Sequence, residues 1–438
     1  MMQLQLFKTL ESAKRGKKER SGIYGWHSYY AGYSEKFVAS AIDYLNLNSD
    51  HLLLDPWNGS GTTGVVASNF GISSLGLDIN PVMNIFSAAK SRYLLSQKPI
   101  LYQLSHEICQ TYSQMISEGN PLTEDPLLEL MPASVCQGIR LLHLSIEASQ
   151  YPDYPLSSTL VQFIPISNHP TSNPFQSFFH AALFIITRQL MGWQKSSNPT
   201  WFKANSSQLY SDYGLEQIRD KFRTTIQGMV ADLETYQNKN QSQVFHLPIT
   251  MDSREIALSD NSIDGIITSP PYLTRIDYAI STKPELLILR DSTYLRQLRE
   301  KMMGTPVIVD KTIQINPIWG KFCGRLLENI LNHPSKASAS YYFHTQTQYF
   351  QDVEKSLQEI IRVLKPKCKA LIVVQSSYFK EHEIPLSEIY VEMIQNLGSY
   401  SQVIKREPVR GHLASINSKS NQYKRNKVYY EDVVLLEK

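Results

Sequence analysis

Apolar positions follow two rhythms along the chain. Between Glu35 and Leu45, Phe37, Val38, Ala41, Ile42 and Leu45 recur at helical spacing. His51-Leu52-Leu53-Leu54-Asp55 is instead a short unbroken apolar run closed by a polar turn, the pattern of a strand buried on both faces. Residues 62–70 read as the next helix and 73–78 as a second strand. Strand, tight glycine turn, helix, strand predicts a βαβ unit of a parallel α/β sheet. From 81 to 243 the alternation gives way to helical and loop-rich sequence. There, 174–193 reads as an apolar helix, and Leu215, Ile218, Phe222, Ile226, Met229 and Leu233 mark one face of a long amphipathic helix. Strands resume at 243–247 and 264–268, and a second irregular stretch covers 291–340. A helix carrying Val353, Leu357, Ile360, Ile361 and Leu364 is ended by Pro366, and strands at 369–375, 402–405 and 428–436 follow. Seven strands split by two insertions predict one elaborated α/β domain.

Composition narrows this little. Of 438 residues, 42% are hydrophobic and 19% charged, which excludes a disordered or fibrous chain. The formal charge of +3 neither requires nor opposes a polyanionic partner. Cys109, Cys136, Cys323 and Cys368 are scattered without a CxxC pair, so neither a disulfide framework nor a structural metal is expected, and a reducing compartment fits. The N-terminus is too polar for a signal peptide, and the apolar stretch 181–186 ends at Thr187 and Arg188. A cytoplasmic protein with no membrane partner is expected. The basic run Lys14-Arg15-Gly16-Lys17-Lys18-Glu19-Arg20 is either a solvated terminus or a phosphate-contacting arm.

The candidate chemistry sits where strands end. Asp55-Pro56-Trp57-Asn58-Gly59-Ser60-Gly61-Thr62-Thr63 joins the first strand to the next helix, beside the crevice where open α/β sheets bind ligands. Gly59 and Gly61 lack a Cβ, so the backbone can turn sharply and admit a ligand, and Asp55 is a candidate acceptor for an amino group. The turn lacks the GK[ST] ending of a phosphate-binding loop and does not fit G-x-G-x-x-G, which argues against triphosphate hydrolysis and nicotinamide chemistry. Asp78, followed by Ile79, is placed to accept both hydroxyls of a ribose. Asp252, followed by Ser253, is a candidate acceptor for an adenine amino group, although an acid there also serves as a helix cap. The strand at 264–268 runs straight into Ser269-Pro270-Pro271-Tyr272. Two prolines fix φ and remove two donors, leaving the Ser269 and Pro270 carbonyls free and aimed. Such acceptors suit an –NH2 group: bonds from the serine hydroxyl and a proline carbonyl draw a nucleobase nitrogen toward tetrahedral geometry. Tyr272 offers a face on which a base can stack.

Together, DPWNGSGTT and TSPPY resemble the amino-methyltransferases of DNA, which move a methyl group from S-adenosylmethionine to cytosine N4 or adenine N6. The likeness extends to Asp78, Asp252 and Arg362-Val363-Leu364-Lys365-Pro366. The family's usual Phe is Trp57 here, and its usual two glycines after the last motif are Lys367-Cys368. The resemblance implies a Rossmann-like class I methyltransferase fold, α/β, with a seven-stranded, mostly parallel sheet, one reversed strand near the C-terminus, and helical insertions. It implies S-adenosyl-L-methionine held by Asp55, Pro56, Trp57, Gly59, Gly61, Thr62, Asp78, Ile79, Asp252 and Ser253, and catalysis by Ser269, Pro270, Pro271 and Tyr272, with no metal. The implied substrate is double-stranded DNA with one base flipped from the stack, and a cognate restriction endonuclease is a plausible cellular partner. Ser before Pro-Pro-Tyr is similar mainly to cytosine-N4 enzymes. The alternatives are an adenine-N6 enzyme, an RNA or protein-glutamine amine methyltransferase, and a non-catalytic nucleic-acid-binding relative. The expected division is a basic arm (1–24), a catalytic domain (25–90, 243–290 and 341–438), a helical insertion for target recognition (91–242) and a second insertion (291–340). Thr274, Arg275 and Tyr278 are placed to close over the base, with Lys283 and Arg290 as candidate phosphate contacts. The stretch holding Arg406, Arg410, His412, Lys419, Lys424, Arg425 and Lys427 is either a solvated loop or a DNA backbone contact.

Overall fold

The computed structural model describes residues 9–16, 19–27, 32–119, 124–154, 173–191, 213–236, 244–273, 276–409 and 427–438. Its strands are β1 (Leu52–Asp55), β2 (Ser73–Asp78), β3 (His246–Thr250), β4 (Ile263–Thr268), β5 (Leu364–Gln375), β6 (Ser377–Phe379), β7 (His382–Ile384), β8 (Tyr400–Val409) and β9 (Tyr429–Glu437). Seven form one sheet in the order β3-β2-β1-β4-β5-β9-β8, and β6 and β7 pair separately. Pairs from β3 to β5 are parallel, and β9 runs antiparallel to both neighbours. This is the Rossmann-like methyltransferase arrangement, with the reversed strand where the resemblance puts it. The third strand differs in position, occupying 246–250 rather than 243–247. Pro248 lies inside it, which is tolerated because β3 is an edge strand paired only with β2.

The unbroken apolar runs are explained by cover on both faces. Successive side chains point to opposite sides, so Leu53, Ile267, Leu371 and Val373 pack with residues of α1 (Glu35–Leu45) and α2 (Thr62–Asn69). α1 starts where the Ser34 hydroxyl accepts the Phe37 amide at 3.1 Å, and it ends at Asn46 with φ 55. α3 (Pro81–Ala89), α4 (Lys98–Glu118), α5 (Ala133–Ala148), α6 (Pro174–Leu190) and α7 (Leu215–Thr235) share one apolar cluster. Its fully buried Phe86, Phe178, Phe179, Phe184 and Phe222 each contribute about 1.5–3 kcal/mol. Past β4 lie α8 (Lys283–Leu289), α9 (Ser292–Lys301), α10 (Gly320–Leu331), α11 (Phe343–Val363) and α12 (Leu386–Asn396). The last three cover the other face, against Leu54, Ile266, Ile372 and Val374. Lys367, standing where the related family has glycine, has φ 67, a left-handed conformation that costs a side-chain-bearing residue about 1–2 kcal/mol. Among the described residues no helix is long and apolar enough to cross a membrane.

Within the basic run near the N-terminus, Lys14 and Arg20 are exposed and Arg15 turns inward. Arg15 is buried, and its Nη2 donates to the Tyr33 carbonyl at 2.9 Å and to Thr62 Oγ1 at 2.7 Å. Ala13 is buried beside it, and its carbonyl accepts the Ser34 amide at 2.8 Å. Lys17 and Lys18 lie outside the described residues.

Candidate active site

Four adjacent parallel strands, β3-β2-β1-β4, deliver their carboxyl ends to one pocket. The strand order changes direction between β1 and β4, the point at which open α/β sheets form a crevice. Pro56 and Trp57 reach the pocket from β1, Asp78 and Ile79 from β2, Asp252 and Ser253 from β3, and Ser269, Pro270 and Pro271 from β4. The two motifs that are far apart in sequence therefore meet. Asp55, Gly59, Gly61, Thr62 and Tyr272 are not on the pocket wall.

Asp55 is buried behind the wall with its acceptors occupied. Oδ1 takes the Thr268 hydroxyl at 2.6 Å and the Trp57 amide at 3.2 Å; Oδ2 takes the Tyr33 hydroxyl at 2.7 Å and the Thr63 hydroxyl at 2.5 Å. Burial raises its pKa, and these hydrogen bonds pull it back. Here Asp55 is a hub that ties the glycine turn to the end of β4 through Thr268. The turn is held from below as well. Asn58 Nδ2 donates to Ser87 Oγ at 3.0 Å, and buried Lys90 donates to the Ser60 carbonyl at 2.7 Å. Gly61 has φ 85, and a Cβ on it would lie 2.1 Å from Ser87 Oγ. Its missing side chain makes room for α3 rather than for a ligand. Thr62 Oγ1 receives Arg15.

Gly59 acts through its amide, which donates to Asp78 Oδ2 at 3.0 Å, while Asn80 N donates to Oδ1 at 2.8 Å. Burial raises the Asp78 pKa to about 7 against the pull of these two amides, with nearby Asp55 adding to the rise. Asp252 is gripped by Arg254, whose Nη2 lies 2.6 Å from Oδ2 and whose Nε lies 3.0 Å from Oδ1; the same guanidinium reaches Asp352 at 2.6 Å. Ser253 Oγ meets Ser356 Oγ at 3.0 Å.

At the second motif, Ser269 Oγ donates to the Val373 carbonyl on β5 at 3.0 Å. With its proton committed there, the oxygen's lone pairs remain for accepting. The Pro271 carbonyl takes the Tyr349 hydroxyl at 3.0 Å, whereas no donor among the described residues reaches the Pro270 carbonyl. Tyr272 is half-buried, and its hydroxyl pKa is raised, chiefly by burial and then by Glu431.

Sequence reasoning missed the pocket's far wall: Asn80, Met83, Met251, Arg254, Ser281, Thr282 and the Lys301-Met302-Met303 end of α9. Asn80 had a legible signal, since Asn followed by Pro81 is a helix start; the Met pair had none. Tyr278, expected near the base, does line the pocket, whereas Thr274 and Arg275 lie outside the described residues. Two proposed phosphate contacts are otherwise engaged: Lys283 pairs with Glu129 at 2.9 Å, and Arg406 with Glu388 at 2.6 Å and Asp432 at 2.8 Å. Lys427 donates to the Lys380 carbonyl. Arg410, His412, Lys419, Lys424 and Arg425 lie outside the described residues.

Sheet order, reversed strand and the position of the pocket define a Rossmann-like methyltransferase fold. The chain is similar to three curated proteins that fit this class. It is 22% identical over 426 residues to the Type II methyltransferase M.BsoBI of Geobacillus stearothermophilus, covering 87% of this chain and 79% of the relative. It is 22% identical over 403 residues to the Type II methyltransferase M.MvaI of Kocuria varians, covering 88% and 83%. It is also 22% identical over 330 residues to the Type II methyltransferase M.MjaII of Methanocaldococcus jannaschii, covering 60% and 61%. No family model matches the chain. The relatives agree with the resemblance carried by the Asp55 and Ser269 motifs.

Proposed function

We propose that this chain is a site-specific DNA methyltransferase that moves a methyl group from S-adenosyl-L-methionine to the exocyclic amine of a flipped base, cytosine N4. The observation that carries the reading is the shared pocket, in which the Asp78 carboxylate and the Ser269-Pro270 acceptors face one space, joined behind by the Thr268–Asp55 hydrogen bond. The pocket's chemistry fits the donor molecule: a carboxylate for a ribose diol, apolar Ile79 and Met83 for a purine face, and Asp252 and Ser253 for an adenine edge. When bound, S-adenosylmethionine supplies an electrophilic methyl group. The protein's own work is positional. Asp78 holds the ribose hydroxyls, and Trp57 and Pro56 shape the wall. Ser269 Oγ and the Pro270 carbonyl accept hydrogen bonds from the two amine N–H groups, freeing the nitrogen lone pair and aligning it for attack; as the N–C bond forms, the methyl's C–S bond breaks, the thioether leaves and the nitrogen loses one proton. Serine at 269 supports cytosine over adenine through the family resemblance. The same reading makes double-stranded DNA the partner, the 91–242 insertion the element that reads it, and a cognate restriction endonuclease a companion to be sought.

The test is methyl-labelled donor offered with duplex DNA, RNA and protein in parallel, followed by digestion of the DNA to nucleosides and mass spectrometry. N4-methylcytosine is expected. N6-methyladenine would overturn the choice of base, label only in RNA or protein would overturn the substrate, and no affinity for the donor would overturn the whole reading.

A further inference from the structure

The helical insertion holds a side-chain cluster that the proposed reaction does not use. His143 and Glu147 lie one turn apart on α5, and His180 reaches them from α6. His180 Nε2 is 3.2 Å from Glu147 Oε1 and 3.3 Å from His143 Nδ1, and the ligand atoms of all three lie within 4.8 Å of one another. A tetrahedral ion with bonds of about 2.0–2.1 Å holds its donor atoms about 3.3–3.4 Å apart. Two of the three edges thus already have the length a zinc site needs.

The environment suits ligation. His180 is 3% exposed, with its ring against Phe184 and His143, so packing sets its orientation. His143 is partly buried against His180, with the two ring centroids 5.4 Å apart. Glu147 is exposed, with its Oε1 braced by Gln176 Nε2 at 3.1 Å. It can swing to close the third edge, on the side from which water can supply a fourth ligand. The opposing cations are Arg140, held by Asp125 at 2.7 Å, and Arg290. A second cluster, His333, Glu381 and His382, is less regular, with separations of 3.2 and 3.9 Å and with His333 Nδ1 engaged by Ser335.

We propose that His143, Glu147 and His180 bind a divalent first-row transition ion, zinc foremost, which clips α5 to α6. From His180, α6 continues to Arg188, which grips buried Glu285 and donates to the Ser281 carbonyl at the pocket wall. The clip therefore fastens the scaffold behind the active site, and it stands whether or not the chain methylates DNA.

The test uses the full chain stripped by a chelator and titrated with Zn2+ against a colorimetric competitor, with thermal melting followed in parallel. One equivalent should bind and raise the melting temperature. His143→Gln and His180→Gln should each weaken binding by about 100-fold or more, since even partners behind a ligand are worth about 10–100-fold. His382→Gln should change nothing. Because Glu147 is exposed, Glu147→Gln tests the site without disturbing the core and should weaken binding at least about tenfold. The proposal is overturned if the wild type takes up no zinc, if Glu147→Gln and the His143→Gln/His180→Gln pair bind as tightly as wild type, or if only His382→Gln abolishes uptake.

Discussion

The turn at residues 55–63 commits most of its polar groups to the protein, whereas the turn at 269–272 keeps the Pro270 carbonyl in reserve. In the first, Asp55 has four donors on two oxygens, Asn58 holds Ser87, and the Ser60 carbonyl takes Lys90. In the second, the Ser269 hydroxyl bonds the Val373 carbonyl and also meets Tyr272, and the Pro270 carbonyl takes no donor from the described residues. The difference is what a binding loop and a reacting loop require. The first must keep its shape with the pocket empty or full, so its hydrogen bonds are internal. The second must offer acceptors at the moment an amine arrives, so proline stiffness replaces hydrogen bonds as the source of order.

Ser269→Ala tests the second turn directly and should have the largest effect. It removes an acceptor that works on the reacting nitrogen, so turnover should fall about 10²–10³-fold, the usual loss when one preorganised polar group at a reacting atom is deleted. Donor affinity, read by calorimetry, should stay within about twofold. Equal losses in both would place Ser269 in donor binding and erase the contrast. Asp55→Ala tests the committed side. It strands the Thr268 hydroxyl and leaves the Tyr33 and Thr63 hydroxyls with only each other and the Ile267 carbonyl, and should cost roughly 2–3 kcal/mol of stability, seen in chemical denaturation. A variant with unchanged stability but weakened donor binding would make Asp55 a ligand contact instead.

That distinction shows where sequence is legible and where it is not. The helix at 35–45, β1 and β2 were readable because period, turn chemistry and handed βαβ connections depend on local residue types, whereas the reversed β9 and the meeting of two distant motifs followed from the family resemblance. Within the motifs, residue roles were less so. Gly61 looked like room for a ligand and is room for Ser87; Asp55 looked like an acceptor for a ligand's amino group and sits behind the wall with its acceptors taken by the protein. Arg15 belonged to a basic run, the commonest signature of a solvated segment, yet its guanidinium is spent on Tyr33 and Thr62. Each depends on a partner remote in the chain, which no local pattern specifies. The far wall of Met302 and Met303 was invisible for the same reason.

Asp78 stands between the two regimes, held by two amides yet facing the pocket, and its titration sharpens the comparison. With a pKa raised to about 7, it is increasingly protonated as pH falls below that value, and a protonated carboxyl is a poorer acceptor for ribose hydroxyls. Donor affinity should be flat above pH 8 and weaken by about tenfold for each unit well below 7. Asp78→Asn should bind weakly with this pH dependence gone. A wild-type affinity that does not change between pH 8 and 5.5 would remove the carboxylate from donor binding.

The smallest expected effect bears on the join between the two loops. Thr268→Val keeps the shape of the side chain and removes the 2.6 Å bond to Asp55 Oδ1. Asp55 retains Trp57, Tyr33 and Thr63, so the glycine turn keeps its form, and the stability loss should be about 1 kcal/mol. If the bond also sets the distance between the donor and the acceptor pair, turnover should fall several-fold while donor affinity holds, because alignment is felt in the transition state and not in binding. A fall in donor affinity matching the fall in turnover would mean that the glycine turn has relaxed as well. The two loops would then be one mechanical unit, rather than a fixed frame carrying a separately stiffened reacting edge.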